Sequence, residues 1–118
     1  MEKVKLKRIY EEAEKEDGIR VLIDRLWPRG ISKAKANLDH WLKELAPSDD
    51  LRKALHNGEM AFDTFKEQYK KELETGDQKE ALQSLQDIIE QANQQVTLLF
   101  AAKDETKNNA VVIKEILS

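Results

Sequence analysis

Ile19-Arg20-Val21-Leu22-Ile23-Asp24 is the stretch that decides the fold. It is apolar almost throughout, rich in β-branched residues, and bounded by Gly18 and Pro28. A run this short between two such breakers reads as a strand covered on both faces rather than a helix. A second run of the same kind, Val96-Thr97-Leu98-Leu99-Phe100-Ala101-Ala102, stands near the other end of the chain. Helical periodicity fills the interval between them.

Upstream of the first run, residues 3–10 alternate charged and apolar side chains and then lose the pattern at Arg8-Ile9. That predicts a half-buried edge strand whose lysines point outward and discourage edge pairing. Glu11 to Gly18 is an acidic connection ending in the turn signal Asp17-Gly18. Downstream, Leu38, Trp41, Leu42 and Leu45 fall at helical spacing, a stripe that stops before Pro47. Ser48 followed by Asp49 and Asp50 predicts a helix start, with Gly58 at its end. Phe62, Phe65, Tyr69 and Leu73 form the next stripe, closed by Gly76. Asp77 with Glu80 resembles a capping box opening a helix lined by Leu82, Leu85, Ile88, Ile89 and Ala92. A last helix, capped by Asp104 or Thr106, turns Ala110, Ile113, Ile116 and Leu117 inward.

The order is strand, strand, several helices, strand, helix, with no repeat and no linker. It predicts one α/β domain over residues 1–118, a small mixed sheet of about three strands flanked by helices. The connection of about eight residues between the first two strands is short for a parallel crossover, which favours antiparallel or non-adjacent placement.

Composition narrows the function classes. A chain of 118 residues without cysteine has no disulfide, no thiolate nucleophile and no cysteine-based metal site. The longest apolar run is far too short to cross a bilayer, and the acidic opening does not resemble a secretory signal, so a cytoplasmic protein without membrane attachment is expected. Net charge is −3, unevenly spread: residues 1–35 hold 10 Lys/Arg against 7 Asp/Glu, the remainder 10 against 16. That balance disfavours duplex nucleic acid, while the basic stretch from Arg20 to Lys35 suits a small anionic ligand.

Chemistry is expected where the two buried runs end. The first leads into Asp24-Arg25-Leu26-Trp27-Pro28-Arg29-Gly30, the second into Lys103-Asp104-Glu105-Thr106-Lys107-Asn108-Asn109. Parallel strands would bring both to one edge, where α/β sheets gather ligands. Arg25, Arg29 and Lys103 would bind phosphate or carboxylate, Trp27 offers a flat face, and Asn108 and Asn109 add carboxamides beside a helix start. Asp24 and Asp104 are candidates for acid/base catalysis, for holding magnesium, or for orienting the arginines. Each residue also has a plain structural reading, as ion pair, core plug or cap. His40 and His56 show no metal-ligand spacing, and no Walker loop, G-x-G-x-x-G or G-x-S-x-G is present.

The segment from Asp17 to Ser32, with its Arg25-Leu26-Trp27-Pro28-Arg29-Gly30 element, resembles the signature of the YeaO-like branch of the bacterial domain-of-unknown-function 488 family. Val96 to Asp104 with Asn108-Asn109-Ala110-Val111-Val112 resembles its second signature, and Leu38 to Ser48 is similar to the segment between. The resemblance covers essentially the whole chain. It implies a small stand-alone protein and marks Arg25, Trp27, Arg29, Lys103, Asp104, Asn108 and Asn109 as family-defining, but carries no activity or cofactor over. Relatives in the broader family often hold a cysteine and a Cys-His-Arg element near the last strand. Here those positions are Phe100 and Asn108-Asn109-Ala110, so thiol or imidazole chemistry is not supported there.

Three readings follow. The first is a site for an anionic small molecule at the carboxyl edge of the sheet. The second is a protein-interaction module with the Trp27-Pro28-Arg29 loop as hot spot. The third is single-stranded nucleic-acid contact through Trp27 and the basic stretch, which the overall acidity opposes.

Overall fold

The two apolar runs lie side by side and point the same way. The computed structural model describes residues 3–117. In chain order these form β1 (Val4–Arg8), β2 (Ile19–Leu22), α1 (Lys33–Ala36), β3 (His40–Trp41), α2 (Asp49–His56), α3 (Phe62–Glu72), α4 (Gly76–Gln91), β4 (Val96–Phe100) and α5 (Asn109–Leu117). Single 3-10 turns precede β2 (Lys15–Asp17) and α2 (Lys43–Leu45).

The strand order is β1-β4-β2-β3, and every pairing is parallel. The α/β class stands. The expected count of about three strands is close to the four found, the fourth being the two-residue β3, but the sheet is wholly parallel rather than mixed. β1 and β2 are indeed non-adjacent, because β4 fills the gap between them. Their connection is short, but it need only run back over one face of the sheet. There it carries Asp17 onto β4, whose Thr97 hydroxyl donates to the Asp17 carbonyl at 2.7 Å.

The register sorts the side chains into two faces. Val4, Val96 and Ile19 form one row and Leu6, Leu98 and Val21 the next, all against the helices. This face joins Phe65, Tyr69, Leu85 and Ile113 in the main core. The helices form for the expected reasons: the Ser48 hydroxyl accepts from Leu51 N–H as the cap of α2, and Phe65 and Tyr69 bury the stripe of α3. Gly76 does not close α3 but is the first residue of α4, whose N-cap is Thr75 without a side-chain bond. The expected Asp77–Glu80 capping box is therefore absent.

The opposite face is split. Toward the carboxyl edge Leu22 and Leu99 pack with Ile9, Ile31 and Ala36 in a smaller apolar cluster. Toward the amino edge the row is Lys5, Thr97 and Arg20, and it folds around one carboxylate. Asp17 is fully buried. Its Oδ1 pairs with Lys7 Nζ at 3.1 Å and Lys5 Nζ at 3.2 Å, while its Oδ2 accepts from Arg20 Nη1 and from Glu14 N–H. Lys7, expected to point outward, is thus nearly buried. The rest of the Arg20 guanidinium donates to the Ala36 and Asn37 carbonyls, the orphan acceptors at the end of α1.

The predicted helix through Leu38, Trp41, Leu42 and Leu45 does not form. Asn37 adopts the left-handed conformation (φ 46°) and stops α1 after one turn. The free edge of β2 then claims the following backbone: Asp39 N–H donates to Arg20 O and Leu42 N–H to Leu22 O, both at 2.9 Å. Unpaired strand groups outcompete a helical period here. Leu38 joins the smaller cluster and Leu45 the main core, on opposite faces of the sheet.

Burial alone would push the Asp17 carboxyl up; the Glu14 N–H and the three surrounding cations hold it well below the usual carboxylate range. A carboxylate lowered on folding stabilises fully above its unfolded value of about 4, and that contribution drains as pH falls toward the folded value. Asp17→Asn leaves buried Lys7 with Glu14 as its remaining anion and Arg20 with backbone carbonyls alone, and is expected to cost about 3 kcal/mol in urea unfolding at neutral pH. The loss should shrink below about pH 4, where the wild-type carboxylate begins to lose its own advantage.

Candidate functional site

Because β2 and β4 are parallel neighbours, the Asp24–Gly30 and Lys103–Asn109 segments leave the sheet at the same edge. One side chain joins them. Asp24 Oδ2 accepts from Ala101 N–H at 2.9 Å, and Oδ1 accepts from Asn109 Nδ2 at 3.1 Å. Burial pushes the Asp24 carboxyl above its ordinary value, against the pull of the Ala101 N–H, Asn109 and the positive charge of Arg52.

The arginine loop is held from three sides. Trp27 Nε1 donates to Ile31 O and Trp41 Nε1 to Asp24 O, both at 2.7 Å, and the two indoles meet edge to face at 5.3 Å. Tyr10 Oη donates to Arg29 O at 3.1 Å. Gly30 turns the chain at φ 80°, a conformation that suits glycine. Arg29 stands exposed at the tip, with no ion pair among the described residues. Trp27 itself is half-buried, so its face is shared between the smaller core cluster and the loop. Arg25 is also half-buried and donates through Nη2 to Ala46 O at 3.2 Å.

In the facing loop Lys103 is exposed and likewise outside any ion pair among the described residues. Asp104 Oδ1 accepts from Thr106 N–H, Thr106 Oγ1 and Lys107 N–H, and the two N–H groups hold its carboxyl below the ordinary value. Neither Asp104 nor Thr106 caps α5: Asn108 Oδ1 accepts from Val111 N–H at 3.0 Å, and its Nδ2 donates to Asp104 O. Asn108 is buried in that role, whereas Asn109 faces Asp24. No hydrogen bond joins Asp24 to Asp104. No group of three or more His, Asp or Glu among the described residues is arranged to hold a metal ion.

Several residues at this edge were not singled out from the sequence. Arg8, at the end of β1, donates to Ala101 O and Ala102 O and fixes the exit of β4; the break in alternation at Arg8-Ile9 was its only signal. Leu45 to Ser48 is clamped by Tyr69 Oη on Leu45 O, Gln78 Nε2 on Ala46 O and the Glu72 carboxylate on Ser48. Burial, and then the charges of Asp24 and Glu72, push the Tyr69 phenol well up. A separate shallow groove, lined by Trp41, Leu42, Glu44, Asp77, Glu80, Ala81 and Ser84, is acidic and contains none of the predicted cationic residues.

With the site described, comparison with known proteins is informative. Residues 3–118 match DUF488-N3i, described as the inactive DUF488-N3 subclade. The chain belongs to this family. It is 46% identical over 114 residues to the uncharacterised protein YeaO of Escherichia coli K12, covering 97% of this chain and 96% of that one. It is 34% identical over 116 residues to the uncharacterised protein Rv3073c of Mycobacterium tuberculosis, covering 98% and 94%. The Mycobacterium bovis protein Mb3100c, also uncharacterised, matches to the same extent. No solved structure gives a significant match. The expected YeaO-like family is thus correct, and none of the three relatives carries a stated activity.

Asp24→Asn keeps an acceptor on Ala101 N–H only by turning its N–H₂ toward Asn109, whose carboxamide must then turn over and give up its contact with Ile23 O, or else donor faces donor. A cost of about 1–3 kcal/mol is expected, with faster amide exchange in both residues 24–30 and residues 101–108. A carboxyl raised on folding favours the native state below its unfolded pKa and loses that contribution as pH rises through the folded value. Above pH 4 the stability of the wild type should therefore carry a downward component that Asp24→Asn lacks.

Proposed function

We propose that the protein is a non-catalytic binding domain that takes a phosphate- or carboxylate-bearing small molecule at the carboxyl edge of its sheet. The observation that carries this reading is the presentation of Arg29, exposed at the tip of a loop fixed by Trp27, Trp41 and Tyr10. A guanidinium on a preset loop loses little freedom on binding, which favours affinity for a small anion. Lys103 supplies a second positive charge from the facing loop, and Arg25 a third from the base of the site. Asn109, already turned toward Asp24, orders the junction between the two loops.

The non-catalytic part of the reading has two supports. Both Asp24 oxygens accept protein donors, and Asp104, engaged through Oδ1 in its own turn, forms no hydrogen bond with Asp24 to make a catalytic pair. A general acid or base must instead reach a substrate proton. The description of the family as an inactive subclade agrees with this.

A second reading has an observation of its own. Tyr10, Leu26 and Trp41, which are 39%, 62% and 38% exposed, are the exposed large apolar side chains among the described residues. Each follows or ends a strand at this same edge. Tyr, Trp and Arg are the residue types that dominate protein-binding hot spots, so a partner protein would find an anchor here.

A thermal-shift screen against phosphate, nucleotides, sugar phosphates and carboxylates separates the two. A ligand at 100 times its Kd should stabilise the fold by about 2.7 kcal/mol, and Arg29→Ala should remove the shift without lowering the melting point of the free protein. A flat response across the panel, with Leu26→Ala or Trp41→Ala abolishing capture of a partner protein, would replace the first reading by the second.

A further inference from the structure

We propose that the groove between the end of β3 and α4 is a docking site for a short, extended, arginine-rich segment of a partner protein. The inference goes beyond the small-anion reading and uses none of its cationic residues.

The two walls of this groove face each other. On one side Asp77, Glu80, Ala81 and Ser84 stand at i, i+3, i+4 and i+7 of α4, a single stripe of that helix. On the other lie Trp41, Leu42 and Glu44, from the end of β3 into the 3-10 turn that follows. Gln78, in the first turns of α4, donates to Ala46 O at 2.9 Å and ties the helix to that turn.

Three observations name the occupant. Glu44, Asp77 and Glu80 form no ion pair among the described residues, and no basic residue lines the groove. The Trp41 indole is pinned by its bond to Asp24 O and its edge contact with Trp27, yet stays 38% exposed. That ring also carries a cation already: the ammonium of exposed Lys43 lies 5.5 Å from its centroid, outside any ion pair among the described residues. The indole face is therefore open to a positive group. A guanidinium suits it better than an ammonium, because it stacks on the ring and forks onto a carboxylate at once.

Length and depth favour a peptide. From Asp77 to Ser84 the helix rises about 10 Å, the reach of about three extended residues. The groove is shallow, whereas sites for small molecules enclose most of the ligand. Nor is any group of acids among the described residues arranged to hold a metal ion.

The test is isothermal titration calorimetry of the full chain at low salt with acetylated tetra-arginine amide. Saturable binding is expected, and it should weaken as salt rises. Glu44→Gln, Asp77→Asn and Glu80→Gln should each cost about two- to fivefold, the range of an exposed ion pair, and the triple variant about tenfold or more. Asp77 and Glu80 are exposed, so their carboxamide variants should melt with the wild type. The triple Glu59→Gln, Glu67→Gln, Glu90→Gln removes the same charge outside the groove and should bind like the wild type. Lys43→Gln should tighten binding about two- to fivefold by clearing the ring, more than Lys79→Gln, which lies outside the lining. Arg29→Ala should leave peptide affinity unchanged, so this site and the anion edge fail or stand separately. Equal losses in the two triples, equal gains from the two lysine variants, or no saturable binding would each overturn the proposal. Spermine, a polycation without guanidinium, binding as tightly as the peptide would also overturn it.

Discussion

A central parallel strand has no exposed side: both its faces must be covered and both its edges paired. β4 meets that constraint between β1 and β2, and all five of its residues are buried. The rest of the architecture follows from it. β1 and β2 stand apart to admit β4, the return from β1 and the short α1 lie over one face, and α2, α3, α4 and α5 cover the other. Since all three strands run the same way, their carboxyl ends converge. The edge at which the two polar loops meet is thus a consequence of how the core is buried.

The two ends of this sheet handle charge in opposite ways. At the amino edge Asp17 is enclosed by Lys5, Lys7 and Arg20, each paired to it directly. That arrangement gives the buried carboxylate a partner for each oxygen. At the carboxyl edge Asp24 is answered by a backbone N–H and a carboxamide, while Arg25, Arg29 and Lys103 of the two loops form no ion pair among the described residues. A buried ion cluster that is complete serves the fold; cations left with free donors near a sheet edge are available to a ligand.

Much of this was legible in the letters. The apolar runs at Ile19–Asp24 and Val96–Ala102 identified the two inner strands, and their polar continuations identified the segments that meet. The stripe of Phe65, Tyr69 and Leu73 and the Ser48 cap were read correctly, because local periodicity and capping agree with the tertiary packing there. The stretch from Leu38 to Leu45 misled for a physical reason: its helical spacing is an accident of residues that serve two different clusters, and the unpaired edge of β2 set its conformation. Lys7 misled because its charge suggested solvent, whereas Asp17, ten residues away, drew it inside. Arg8 owes its place to contacts with the distant backbone of Ala101 and Ala102, which no local pattern encodes.

The central claim is that the junction of the β2 and β4 exits is a binding surface for an anion. Amide NMR titration of the protein with pyrophosphate examines it directly. The account predicts saturable shift changes concentrated in residues 24–30 and 101–109, with the Asp17 cluster undisturbed. Changes centred on the Lys5–Lys7–Arg20 face, or no saturable change at all, would contradict it.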